Sequence, residues 1–261
     1  MFREAVGQWS HLFNSQPKAA APNATRWNGA GAFGWALNGG FRVTLISVGS
    51  MKGRRMSTVP KPLLSPEQYL AIERSAETRS EYFRGEMFAM SGASRNHNRI
   101  AMNSAAEIHR QLKDRLCEVY QTDMRVKVSP TGLYTYPDII VTCEHPTFED
   151  SSVDTLLNPQ VLIEVLSPST ESWDHGKKFG NYRQIASLRE FVLISQDRML
   201  VEKFTRLPDG EWLLSEVSSP DDRLMLASVS CSIKLSDIYA RVEFAEPTDP
   251  GSQRGTSVTQ N

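Results

Sequence analysis

Asp138, Glu164 and Lys178 are the residues of this chain whose types and surroundings point to chemistry. Glu164 lies inside Val161-Leu-Ile-Glu-Val-Leu166, where an ionised carboxylate is costly to remove from water unless something compensates it. In an extended segment, Leu162, Glu164 and Leu166 share one face and Val161, Ile163 and Val165 the other. Both faces are otherwise apolar, which weakens the plainer reading of a solvent-facing or arginine-paired glutamate. Asp138 opens a second apolar run, Tyr136-Pro-Asp-Ile-Ile-Val141, where its plainer role is a turn or cap aspartate after proline. Two strands that each carry an acid beside apolar residues could bring both carboxylates to one sheet edge. There they repel unless a cation bridges them.

The third piece is Asp174-His-Gly-Lys-Lys-Phe-Gly-Asn-Tyr182-Arg-Gln-Ile185. At helical spacing Lys178, Tyr182 and Ile185 form one stripe, whereas Lys177 aligns with Asn181 and Gln184 on the polar face. Lys178 is therefore the better site candidate, although surface solvation is the ordinary state of a helix lysine. Asp, Glu and Lys at one site suit metal-dependent phosphodiester cleavage. The carboxylates hold one or two Mg²⁺ or Mn²⁺, while the lysine orients or deprotonates the attacking water or stabilises transition-state charge. Oxygen ligands favour Mg²⁺ or Mn²⁺ over zinc.

Several elements must position these groups. Ser65-Pro-Glu-Gln68 reads as a capping box that starts a helix running to about Ala76. Arg84-Gly85 separates two extended runs, Ser80 to Phe83 and Glu86 to Met90, as in a hairpin. From Asn96 to about Leu116, Ala101, Ala105, Ile108 and Leu112 form one buried helical stripe. His97 sits one turn before Ala101 on that stripe and faces inward.

Strand-like runs follow at 119–128, 137–143, 160–166 and 190–195, with a helix over 174–186 between the last two. Runs at 200–206 and 212–217 are joined by Pro208-Asp-Gly210, and 235–242 forms a short helix or strand. The order predicts an α/β domain of mixed α+β type over 59–244, a central mixed sheet flanked by helices. Residues 1–58 read as a poorly ordered extension and 245–261 as a disordered tail.

Composition excludes other classes. The 261 residues are 40% hydrophobic and 23% charged with a net charge of −1, which suits a globular chain rather than a collagenous or wholly disordered one. No stretch approaches the roughly 20 apolar residues of a membrane span. Residues 1 to 55 carry seven Lys/Arg against the single acid Glu4, so the rest of the chain has a seven-charge acidic surplus. Such a body disfavours broad adhesion to nucleic acid but leaves room for a local basic cleft. The Arg-containing start reads either as a targeting segment or as an extension upstream of a natural first residue at Met51 or Met56. Cys117, Cys143 and Cys231 form no metal or redox motif and suggest reduced thiols in a cytoplasmic protein. His109, His145 and His175 lack metal-ligand spacing, and the tryptophans read as packing residues.

The set Pro137-Asp138, Glu164-Val-Leu-Ser-Pro-Ser-Thr170, Asp174-x-Gly-x-Lys178-x-x-x-Tyr182 and Arg189-Glu-Phe-Val-Leu-Ile194 resembles the Uma-type family of restriction-endonuclease-like proteins. That family belongs to the PD-(D/E)xK nuclease superfamily. Glu81-Tyr-Phe-Arg-Gly-Glu86 and Ser94-Arg-Asn-His97 extend the likeness to about Pro60 through Ile238. The resemblance implies a restriction-endonuclease-like core, with Asp138 and Glu164 as metal ligands and DNA as substrate. The superfamily lysine stands two residues after the glutamate, but position 166 is Leu; similar members supply it from the following helix, here Lys178. Glu86, His97 and Tyr182 are supporting candidates: Glu86 and His97 could complete the metal shell or hold the water, or be structural groups.

Superfamily analogy implies 5′-phosphate and 3′-hydroxyl products and a homodimer where both strands are cut. The alternatives are an inactive nuclease-fold protein that binds nucleic acid or regulates, and a nuclease acting on RNA or branched DNA.

Overall fold

In the computed structural model the described residues are 62–244, apart from 144 and 168–170, and all fall within the unit Thr58–Asn261. The expected N-terminal extension and C-terminal tail lie outside them.

Helix α1 (Pro66–Glu73) starts at the foreseen capping box: Ser65 Oγ accepts from Gln68 N–H, and the Gln68 side chain accepts from Ser65 N–H at 2.8 Å. The hairpin β1 (Ser80–Phe83) and β2 (Glu86–Ala89) turns through Arg84 and Gly85, both at positive φ (50° and 93°), as a tight two-residue turn requires. A Cβ on Gly85 would come within 2.6 Å of Leu63 Cβ, so glycine is needed there twice over. Helix α2 (Arg95–Leu112) buries Ile100, Ala101, Ala105, Ile108 and Leu112.

The run expected at 119–128 is two strands, β3 (Cys117–Gln121) and β4 (Arg125–Val128), which belong to different sheets. Thr122, at φ 58°, redirects the chain between them. Then come β5 (Leu133–Thr135), β6 (Ile139–Cys143), β7 (Thr155–Leu156) and β8 (Val161–Leu166). The helix expected over 174–186 is broken up: α3 (Glu171–Trp173), a π-helical turn (Asp174–Lys178), α4 (Phe179–Tyr182), and then turns. Strands β9 (Glu190–Ser195), β10 (Val201–Arg206) and β11 (Trp212–Val217) match the sequence reading closely. The pair β12 (Arg223–Leu226) and β13 (Cys231–Lys234) was not foreseen, and α5 (Leu235–Ile238) is the short helical option.

The central sheet runs β11-β10-β9-β8-β6-β3, with β8 and β9 parallel and the other neighbours antiparallel. A second sheet runs β2-β1-β5-β4-β7. The central sheet is apolar on both faces because it is covered on both. Val161, Ile163 and Val165 pack with α2, β12, β13 and α5; Leu162 and Leu166 pack with Tyr182, Ile185, Leu188 and the strands β4, β5 and β7. Each fully buried Leu or Ile contributes roughly 1.5–3 kcal/mol, and that burial fixes the register that orients Glu164.

Three reduced thiols were expected, but Cys117 and Cys143 form a disulfide, while Cys231 is free and buried. The two cysteines stand directly opposite on antiparallel β3 and β6. At a separation of 26 residues, only the strand pairing brings them together.

Candidate active site

Asp138, Glu164 and Lys178 line one cleft of about 860 Å³. The ladder between β6 and β8 ends at Ile139 opposite Ile163. Beyond it the Val165 N–H donates to Asp138 Oδ2 at 2.7 Å, so a side chain takes over where the strand pairing stops. Pro137, which has no N–H to offer, precedes Asp138. His97, in the first turn of α2, places Nε2 3.2 Å from the same Asp138 oxygen, facing inward as its stripe position implied.

Glu164 is buried in mid-strand, and its Oε1 accepts from Tyr182 O–H at 2.7 Å and from Lys178 Nζ at 2.9 Å. Lys178 and Tyr182 are both buried on the inner side of this segment, although it is not a regular helix. The π-helical turn widens the backbone so that Asp174, at its start, also turns inward, 3.6 Å from the Lys178 ammonium. Glu81 on β1 lies 3.4 Å from that ammonium and accepts a hydrogen bond from Thr135.

The sequence reading did not single out Glu81 and Asp174. Strand alternation could have found Glu81, since its neighbours Ser80 and Tyr82 are buried on the opposite face; Asp174 stands one turn from Lys178. Glu86, chosen from the same motif as Glu81, is exposed at the turn end of β2 opposite Phe83 and does not line the cleft.

Burial pushes the Glu164 carboxyl up to about 8, with the carboxylates of Asp138 and Asp174 adding to the rise and Lys178 opposing it. Burial alone would lower the Lys178 ammonium, but Glu164, Tyr182, Glu81 and Asp174 outweigh it and hold it well above its usual range. Tyr182 is also raised, by burial first and then by the charge of Glu164. The centre thus holds more acid than cation.

A divalent cation fits the donor set in one respect. Val165 N–H donates to Asp138 Oδ2, and Tyr182 and Lys178 both donate to Glu164 Oε1. Carboxylate oxygens of Asp138 and Glu164, which both line the cleft, supplemented by water and substrate oxygen, suit Mg²⁺. Among the described residues no group of three or more His, Cys, Asp or Glu side chains forms a metal cage.

Residues 66–236 match the Uma2 family, described as "Putative restriction endonuclease". The chain belongs to this family. Two Synechocystis proteins share its sequence: "Uncharacterized protein sll1609" is 38% identical over 155 residues (59% of this chain, 88% of that one). "Uncharacterized protein slr1290" is 34% identical over 187 residues (72% of this chain, 97% of that one). A crystal structure from Anabaena variabilis, described as "a putative nuclease belonging to DUF820", superposes with a TM-score of 0.57 at 18% identity. It covers 67% of this chain and 97% of its own, and shows that the Uma2 domain here shares its fold. Among the described residues no helix is long and apolar enough to cross a membrane.

Proposed function

We propose that this Uma2-family protein is a Mg²⁺- or Mn²⁺-dependent endonuclease that hydrolyses phosphodiester bonds in DNA, with a PD-(D/E)xK-type centre at Asp138, Glu164 and Lys178. The observation that carries this reading is the meeting, in one cleft, of a carboxylate at the start of β6, a carboxylate inside β8 and a buried ammonium. A bound divalent cation would supply Lewis acidity, making water a better nucleophile and offsetting charge on the phosphate.

The chain's own residues do the rest. Asp138 and Glu164 hold the cation; Val165 N–H and His97 fix the Asp138 carboxylate, and Tyr182 fixes that of Glu164. Lys178, kept protonated by its acidic neighbours, orients the attacking water and stabilises charge growing on the phosphate. Attack by water with departure of the 3′ oxygen gives 5′-phosphate and 3′-hydroxyl ends.

The test is nicking of supercoiled plasmid. We expect activity with Mg²⁺ or Mn²⁺, none with chelator, and none in Asp138→Ala, Glu164→Ala or Lys178→Ala; activity in all three variants defeats the proposal. If both strands of a duplex are cut, a homodimer should sediment as such.

A second reading, a non-cleaving protein that binds nucleic acid or regulates, is favoured by the absence of a three-ligand cage among the described residues. Calorimetric titration with Mn²⁺ separates the two, since only a working site should bind the ion and lose it in Asp138→Asn.

A further inference from the structure

We propose that the cleft takes its nucleic acid as an unpaired strand, with bases seated on an apolar lip formed by Phe88, Met90 and Trp173. The inference names the substrate class of the site described above and rests on the phosphodiester-cleavage reading.

The β1–β2 register sets Phe88 directly opposite Glu81. Opposed residues of an antiparallel pair project from the same face, so Phe88 emerges beside the carboxylate that holds Lys178. Met90 follows two residues on, with its N–H donating to Arg79 O at 2.9 Å, and keeps the same side. Phe88 is 47% exposed and Met90 41%, both line the cleft, and neither joins the buried clusters that hold the fold together. Trp173 lines the same cleft one residue before Asp174, with the Lys177 ammonium 5.5 Å over its ring. Phe88 and Met90, exposed on one face of the hairpin at the cleft that Trp173 also lines, mark a contact surface.

The charge around them says what kind of strand they contact. Among the described residues that line the cleft, the cations are Arg79 and Lys178, facing six carboxylates. Asp123 takes Arg79 at 3.4 Å, and three carboxylates surround Lys178 at 2.9 to 3.6 Å. Gripping a duplex requires a track of Lys and Arg along its phosphates, whereas the lining cations Arg79 and Lys178 are held by carboxylates and Lys177 lies over the Trp173 ring. An unpaired strand exposes the faces of its bases, and stacking on aromatic side chains holds them without a basic track. Divalent cations at the floor would meet the single phosphate under attack.

The experiment compares cleavage of a fluorescein-labelled single-stranded DNA 20-mer with the same strand annealed to its complement, in Mg²⁺, by the full chain. We expect kcat/KM at least tenfold higher on the single strand. Phe88→Ala/Met90→Ala, changed at exposed positions, should raise KM on the single strand on the order of tenfold while kcat and the Mn²⁺ isotherm stay as in the wild type, and Phe88→Tyr should restore KM. Equal or better cleavage of the duplex, or an unchanged KM in the double variant, overturns the inference and leaves the nuclease reading standing. Cleavage of neither substrate overturns the nuclease reading and the inference with it.

Discussion

Two clusters of charged side chains on this molecule both join basic groups to carboxylates and come out oppositely. At the C-cap of α1, Arg74 donates to Asp154 through Nε at 2.8 Å and Nη2 at 2.9 Å, and to Asp150 at 2.7 Å. Arg125 adds a bond to Asp154 at 2.9 Å. Two guanidiniums meet two carboxylates in a half-exposed place, and Asp154 falls to about 2, chiefly through the Arg74 hydrogen bonds. Around Lys178 a single ammonium meets Glu164, Glu81 and Asp174 in the buried interior, and Glu164 rises to about 8. The first cluster ties α1, β4 and the start of β7 together. The second retains surplus negative charge where desolvation makes it expensive, an imbalance typical of functional sites and rarely kept for stability.

The sharpest way to break that contrast is to remove members of the acidic centre. Asp138→Ala and Glu164→Ala should abolish plasmid nicking, and Lys178→Met should lower it roughly 10²- to 10³-fold, while circular dichroism shows the fold retained. Arg125→Met should do the reverse. It leaves nicking within a few-fold and lowers stability by roughly 2–3 kcal/mol, a drop in Tm of about 5–10 °C, because it strips a buried partner from Asp154, itself 31% exposed and so partly screened.

A smaller effect of opposite sign is expected for Glu164→Gln: Tm should rise by about 2–4 °C in calorimetry as nicking disappears, the trade of activity for stability expected where a site holds unfavourable charge. An unchanged or lower Tm would mean that the centre is balanced after all.

The smallest and most specific difference lies in pH dependence. Asp154 has a folded value below its unfolded one, so its contribution is complete above about pH 4 and lost as pH falls toward 2. Glu164 has a folded value above its unfolded one, so its penalty is absent below about pH 4.5 and grows until about pH 8. Denaturant melts across pH should show stability declining from pH 4.5 to 8, and Glu164→Gln should flatten that slope while leaving the acid limb unchanged.

Asp138, Glu164 and Lys178 were legible because each breaks a local rule: an acid inside an apolar run, an acid opening one, a lysine on the inward stripe. Glu81 and Glu86 show the limit. Both belong to the hairpin motif and both are acids, and only the turn geometry and the pairing with β5 decide that Glu81 faces Lys178 while Glu86 stays in solvent. Phe88 likewise reads as an ordinary strand residue until the register sets it beside Glu81. The break at Thr122, which sends β3 and β4 to different sheets, coincides with a phase change in the alternation, from Cys117 and Val119 to Met124, Val126 and Val128, that a single strand over 119–128 passes over.

By itself, the sequence determined the capped α1, the Arg84-Gly85 hairpin, the inward stripe of α2 and the apolar strands around Glu164, since each rests on interactions between residues a few positions apart. Tertiary structure alone decided the Cys117–Cys143 pairing, the π-helical turn that brings Asp174 and Lys178 inward together, and the choice of Glu81 over Glu86. Those depend on which strands pair and which faces are covered, and that is set by burying both sides of the central sheet at once, a free energy summed over the whole domain.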